Sequence, residues 1–262
     1  MSTKDYELIL DPGHGGIDPG AVSSEKEKDW TLKISLYQYN RFKELGVPVS
    51  LTRSTDISLD SGPRTAKVKN SGAKYCISNH LNAGGGDRGE VIHSIFDSGQ
   101  LANRLKDQLE AVGQTTVKVY CKQGSKGKDY YYMHRETGAV KTNIVEYCFI
   151  DNKADFEHFK KNWEAYAEAV VKGFCSFVGH PYKAPAKDQK EANEVEGKLS
   201  AAEEAVVEKA KKLGITDGKK PLKVPNQYYV WNVVIPVMEE LEALKEEMAA
   251  LKEELQKLKE GK

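Results

Sequence analysis

Two of the six histidines occupy the same kind of place in the chain. His14 sits in ILDPGHGGIDPGA (9–21), a glycine-rich turn that follows the apolar run YELILD. His80 sits in KYCISNHLNA (74–83), where a second apolar run gives way to small residues. In a parallel sheet the carboxyl ends of the strands share one edge, and ligands bind there. Two imidazoles far apart in sequence can therefore be neighbours in space. A catalytic zinc takes three protein ligands from His and carboxylate side chains and keeps one position for water. Glu25 and Glu27, just after the first loop, are candidates for the third ligand. Glu146, in TNIVEYCFI (142–150), is a carboxylate among Ile144, Val145, Tyr147 and Phe149. Burying it unpaired is costly, so it requires either an ion-pair partner or a cavity that holds a metal.

These side chains need a scaffold, and the hydrophobic pattern supplies one. Strands are expected at 6–11, 47–53, 74–83, 89–96, 115–122 and 142–150. Between them lie helical patterns at 28–45, 63–71 (with Pro63 in the first turn, at N1), 99–113 and 151–177. Strands alternating with helices predict an α/β fold with a mainly parallel sheet, its faces covered by helices. The expected catalytic domain covers 1–180 and ends near Gly179-His180-Pro181. Residues 181–199 are poor in large apolar groups and read as a linker. Residues 200–262 read as a helical C-terminal module.

In that module the apolar residues from Val234 alternate in spacings of three and four over 234–259, the seam of a coiled coil. With Leu241, Met248 and Leu255 at a and Leu244, Leu251 and Leu258 at d, glutamates occupy g and lysines occupy e. That arrangement favours a parallel homo-oligomer, because antiparallel chains would set like charges against one another. The other reading is a single helix folded back on the first domain. The stretch 205–225 resembles wall-associated repeats at the ends of some phage lysins and surface proteins, which implies wall binding or assembly.

The motifs also resemble a family when taken together. D-P-G-H-G-G-x-D-P-G-A (11–21), E-K-D (27–29), S-x-H-L-N-A (78–83) and I-V-E-x-x-F-I-x-N (144–152) occur in this order. The ordered set is similar to that of zinc-dependent N-acetylmuramoyl-L-alanine amidases, shared by bacterial cell-wall hydrolases and phage endolysins, and covers about residues 5–178. The resemblance implies a phosphorylase/hydrolase-like sheet, twisted and mainly parallel, with helices on both faces. It implies one zinc per chain held by His14, Glu27 and His80, with Glu25 as the fallback for Glu27 and Glu146 as the catalytic residue. It implies cleavage of the amide between N-acetylmuramic acid and the L-alanine of the stem peptide, with bacterial peptidoglycan as partner. Asn79 stands where the family usually has an apolar residue; strand alternation puts it on the face opposite His80.

Lys+Arg and Asp+Glu number 39 each, so the basic excess usual for nucleic-acid binding is absent. No apolar run reaches the length of a membrane span, and residues 1–7 lack the pattern of a secretory signal. The expectation is synthesis in the cytoplasm of a host bacterium and action on the wall after holin-type release, as an endolysin; a sporulation or germination amidase is a close variant. An idle wall-binding oligomer on the same scaffold and a zinc peptidase acting within the stem peptide are the competing readings. Cys76, Cys121, Cys148 and Cys175 read as reduced core thiols. His93 reads as an alternating strand residue, and His158 and His180 read as surface or helix-end residues. His134, in DYYYMHRE, is a candidate groove residue, and Tyr130 to Tyr132 read as packed strand residues, with stacking against sugar or peptide as the other reading.

Overall fold

In a computed structural model, which describes residues 7–185, six strands form one sheet in the order β2-β1-β3-β6-β4-β5. The strands are β1 (Leu8–Pro12), β2 (Val49–Leu51), β3 (Tyr75–Asn82), β4 (Gly89–His93), β5 (Val117–Cys121) and β6 (Lys141–Phe149). Helices α1 (Glu27–Glu44), α2 (Ser61–Lys69), α3 (Gln100–Ala111), α4 (Tyr132–Arg135) and α5 (Lys153–Val178) connect them or close the fold. The β1–β2, β1–β3, β3–β6 and β4–β5 pairings are parallel, whereas β4 runs antiparallel to β6. The sheet is therefore mainly parallel, with β4 and β5 reversed as a pair.

Period-two alternation divides the strand residues between two cores. Leu8 and Leu10 of β1, with Val145 and Tyr147 of β6, join Ile34 and Phe42 of α1, Leu105 of α3 and Phe159 and Phe174 of α5 in the larger one. Ile9 and Cys76, with Ile92 and Ile144, meet Val68 of α2 and Met133 of α4 in the smaller one. Thus, among the described residues, three long helices cover one face and two short ones the other. That thinly covered face leaves room for a site.

Several local expectations are corrected. Helix α2 begins at Ser61, so Pro63 is its third residue, not its first; a proline anywhere in the first turn forfeits no helical hydrogen bond. Helix α5 begins at Lys153, where the Asn152 side chain accepts from the Ala154 and Asp155 amides at 3.0 and 3.3 Å. Tyr130 and Tyr131 precede α4 and Tyr132 opens it, so these tyrosines are not strand residues. Cys76, Cys148 and Cys175 are buried free thiols as expected, but Cys121 is exposed. Of the linker only residues 181–185 are described; residues 186–199, the 200–262 module and the heptads lie outside the described residues.

Candidate active site

The β1 carboxyl end opens into the glycine loop. His14 there has φ +58, a left-handed conformation that costs a non-glycine residue about 1–3 kcal/mol. Two buried arginines hold the strained turn. Arg64 donates to the carbonyls of Pro12 and His14, each at 2.7 Å, and Arg53 donates to the Gly13 carbonyl at 2.8 Å. Arg64 is anchored in turn by an ion pair of 2.7 Å with Asp11, which also accepts from Thr52 at 2.6 Å and Ser78 at 2.7 Å. Burial opposes charge on Asp11, but Arg64 and these hydroxyls hold its carboxyl below the usual range.

Strand β3 lies beside β1, with Asn79 opposite Pro12, which brings His80 up to the loop. A Cβ on Gly13 would stand 2.2 Å from His80 Cε1, so this position requires glycine for the ring to pass. Glu27, the first residue of α1, points into the same space. Its Oε1 lies 2.9 Å from His80 Nδ1 and 3.2 Å from His14 Nε2, and accepts from the Leu81 amide at 3.0 Å. Its Oε2 accepts from the Ala21 amide at 2.8 Å. One coordinating atom from each of His14, Glu27 and His80 can be chosen so that all lie within 4.8 Å of one another. Glu25 is elsewhere: it accepts from the Trp30 indole at 2.7 Å and pairs with Lys160 at 3.3 Å.

This donor set fits a zinc ion. Ligand atoms around a tetrahedral zinc stand about 3.3 Å apart, close to the two separations observed here. The electrostatics agree. Burial opposes ionisation of Glu27, yet its imidazole partners hold its carboxyl far below the usual range. Burial likewise opposes charge on His80, but Glu27 raises its imidazole to about 9. The pocket is thus arranged around positive charge. The other nitrogen of His14, Nδ1, lies 2.8 Å from Asp18, an outer carboxylate of the kind that fixes a ligand histidine's orientation.

Glu146 is the register partner of His80 on β6, so the two side chains rise from the same face. It makes no ion pair among the described residues, and its buried Oε2 has no hydrogen-bond partner. Burial pushes its carboxyl up to about 7; His80 opposes this and the carboxylates of Glu27 and Glu90 reinforce it. The structural alternative for Glu146, a core ion pair, is not what the fold contains. Glu90 is Glu146's register partner on β4 and is held by Arg88 at 2.8 Å.

Asp11, Asp18, Arg53, Arg64 and Glu90 were not singled out by the residue pattern. Asp18 carried a readable signal, a carboxylate four residues from a histidine within a glycine turn. The arginines carried none, because only the tertiary fold brings them to the loop. His134 is buried in α4, its ring nitrogens without hydrogen-bond partners, and it does not line the site. His180 Nε2 meets the Leu45 carbonyl at 2.7 Å, a structural contact.

The sequence profile of the N-acetylmuramoyl-L-alanine amidase family matches residues 8–176. The chain belongs to this family. The amidase is 31% identical over 181 residues to N-acetylmuramoyl-L-alanine amidase CwlM of Bacillus licheniformis, covering 67% of this chain and 68% of that relative. It is 28% identical over 175 residues to the sporulation-specific N-acetylmuramoyl-L-alanine amidase of Bacillus subtilis strain 168, covering 65% and 66%. The chain thus spans about two thirds of the length of each of these relatives. Among solved structures it is similar to Cwp6 from Clostridium difficile, with TM-score 0.62, 27% identity, and coverage of 66% of this chain and 29% of that one. The amidase is accordingly an enzyme of peptidoglycan hydrolysis.

Proposed function

We propose that His14, Glu27 and His80 hold one zinc ion and that Glu146 moves the proton in cleavage of the bond between N-acetylmuramic acid and L-alanine. The observation that carries this reading is the orphaned Glu146 carboxylate beside a histidine–glutamate–histidine cluster of ligand spacing. Bound there, the ion supplies a Lewis acid that acidifies water and polarises a carbonyl. Glu27 and the two imidazoles fix its place, and Asp18 orients His14. Glu146, with its proton balanced near neutral pH, accepts a proton from the attacking water and delivers it to the departing amine of L-alanine. A carboxylate that keeps one oxygen buried and unpaired carries a desolvation cost that an idle scaffold has no reason to retain.

The test is the metal content and turnover of variants. Glu146→Gln keeps about one zinc per chain and loses roughly 10²–10⁴ in turnover, the usual worth of a positioned acid–base group. His80→Ala loses the metal as well as turnover. An E146Q enzyme with turnover near the parent's would overturn the role given to Glu146.

The setting is proposed as that of an endolysin. Expressed in a susceptible bacterium, the enzyme leaves cells intact until the membrane is permeabilised, and lysis follows. Cells whose walls survive permeabilisation contradict that setting and favour the sporulation variant, which the B. subtilis relative's name describes.

A further inference from the structure

Two hollows flank the cluster, and their charge differs. One, about 690 Å³, lies on the Glu146 side and is lined by Glu90, Lys118, Tyr120, Lys122 and Phe149 among others. The second, about 450 Å³, is lined by His14, His80, Asp18, Ser58, Asp60 and Arg64 among others. In the first hollow Glu90 is matched by Arg88 and also accepts from the Tyr120 hydroxyl at 3.0 Å. Lys118 and Lys122 enter no ion pair among the described residues. Their ammonium groups lie over aromatic rings instead, Lys118 at 4.6 Å from the Tyr120 centroid and Lys122 at 3.7 Å from that of Tyr130. Two positive charges there thus lack a carboxylate partner. The second hollow has no unpaired lysine or arginine in its lining: Arg64 is taken by Asp11 at 2.7 Å, Asp18 meets His14 Nδ1 at 2.8 Å, and Asp60 and Ser58 add a carboxylate and a hydroxyl.

The chemistry of the bond gives a direction. The departing nitrogen belongs to the peptide, so the group that protonates it stands on the peptide side of the site. Glu146 lines the first hollow and not the second.

We propose that the stem peptide lies in the groove beside Glu146, over β4 and β5, and that Lys118 and Lys122 recognise its free carboxylates. The muramoyl side then lies in the second hollow, where hydroxyls and carboxylates meet a neutral, hydroxyl-bearing sugar. A substrate turned end for end would set its carboxylates against Asp18 and Asp60. Lys118 and Lys122 are specificity residues and touch no reacting atom. The assignment rests on the amidase reading of the site.

The experiment uses the full zinc-loaded chain and two soluble muramoyl-peptides that differ only in whether the stem carboxylates are free or converted to amides. The parent enzyme favours the free-carboxylate substrate by about tenfold or more in kcat/KM, mostly through KM, as expected for a charge-assisted contact. In K118M/K122M the ratio between the two substrates falls to about one, and in K118R/K122R the preference survives. Equal cleavage of the two substrates by the parent, or an unchanged ratio in K118M/K122M, overturns the inference and leaves the amidase reading standing. A parent enzyme that cleaves neither substrate overturns the amidase reading, and the inference with it.

Discussion

Gly13 is where the first loop passes under the second histidine, and the fit leaves no space for a methyl group. Gly13→Ala would place a Cβ 2.2 Å from the His80 ring, so either the loop or the imidazole must move. The expected result is a loss of about 1–3 kcal/mol in stability, the usual cost of overpacking, together with weaker metal retention. Thermal unfolding and metal content of the purified variant check both; an unchanged metal affinity would show that the two loops are not so tightly coupled. His14 and His80 were legible as a pair because each follows a strand-like run. Glu146 was legible because a carboxylate in such a strand demands an explanation. Glu27 was separable from Glu25 only through the family resemblance, since spacing alone allowed both. Arg53 and Arg64 were hidden: each has the local pattern of an ordinary surface residue, and only chain crossing buries it as a support for the loop.

At the scale of elements, β3 is tied to α1 by polar groups where the family usually places an apolar residue. Asn79 donates to Ser35 Oγ at 2.7 Å and to Gln38 Oε1 at 2.8 Å, and accepts from the Tyr147 hydroxyl at 2.7 Å. Gln38 donates to the Tyr147 oxygen at 2.7 Å, which closes the buried set. Asn79→Ile would strand these partners, with an expected cost of about 1–3 kcal/mol. The combined variant N79I/Q38L/Y147F should recover much of that loss; urea unfolding of both variants decides. The sequence placed Asn79 on the right face but not its partners, because pairings across more than 40 residues leave no local trace.

The short helix α4 was missed for a related reason. Four residues give no helical period, and the tyrosine run 130–132 that leads into it mimics a strand. It carries His134, whose buried imidazole is pushed down to about 4, chiefly by burial, with Asp129 pulling the other way. The unfolded chain takes up a proton near pH 6.5 that the fold refuses until about pH 4. The contribution of His134 to stability is therefore fully present above pH 6.5 and is lost as pH drops across that window, by up to about 3 kcal/mol. His134→Gln should flatten this slope in urea titrations at pH 7, 6 and 5. An equally steep fall in the variant would assign the acid sensitivity to other groups.

For the whole molecule, the mainly parallel sheet and its two-sided helical cover follow from alternating strands and helices, which is why the α/β class could be read before the fold, whereas the strand order could not. The reversal of β4 and β5 could not, since strand direction is a tertiary choice. The heptad pattern in the sequence at 234–259 leads us to propose a parallel pair, in which glutamates at 240, 247 and 254 would meet lysines at 245, 252 and 259. The full chain should sediment as an oligomer, and L244K/L251K should return it to a single chain; equal sedimentation of the two would refute the coiled-coil reading.

The central claim is metal-dependent cutting at one bond, and the ends released from purified peptidoglycan test it most directly. Digestion should yield free lactyl carboxyls and new L-alanine amines, stop when a chelator is added, and resume when zinc is restored. New reducing sugars, new amines from within the stem peptide, or digestion indifferent to the chelator would contradict the account.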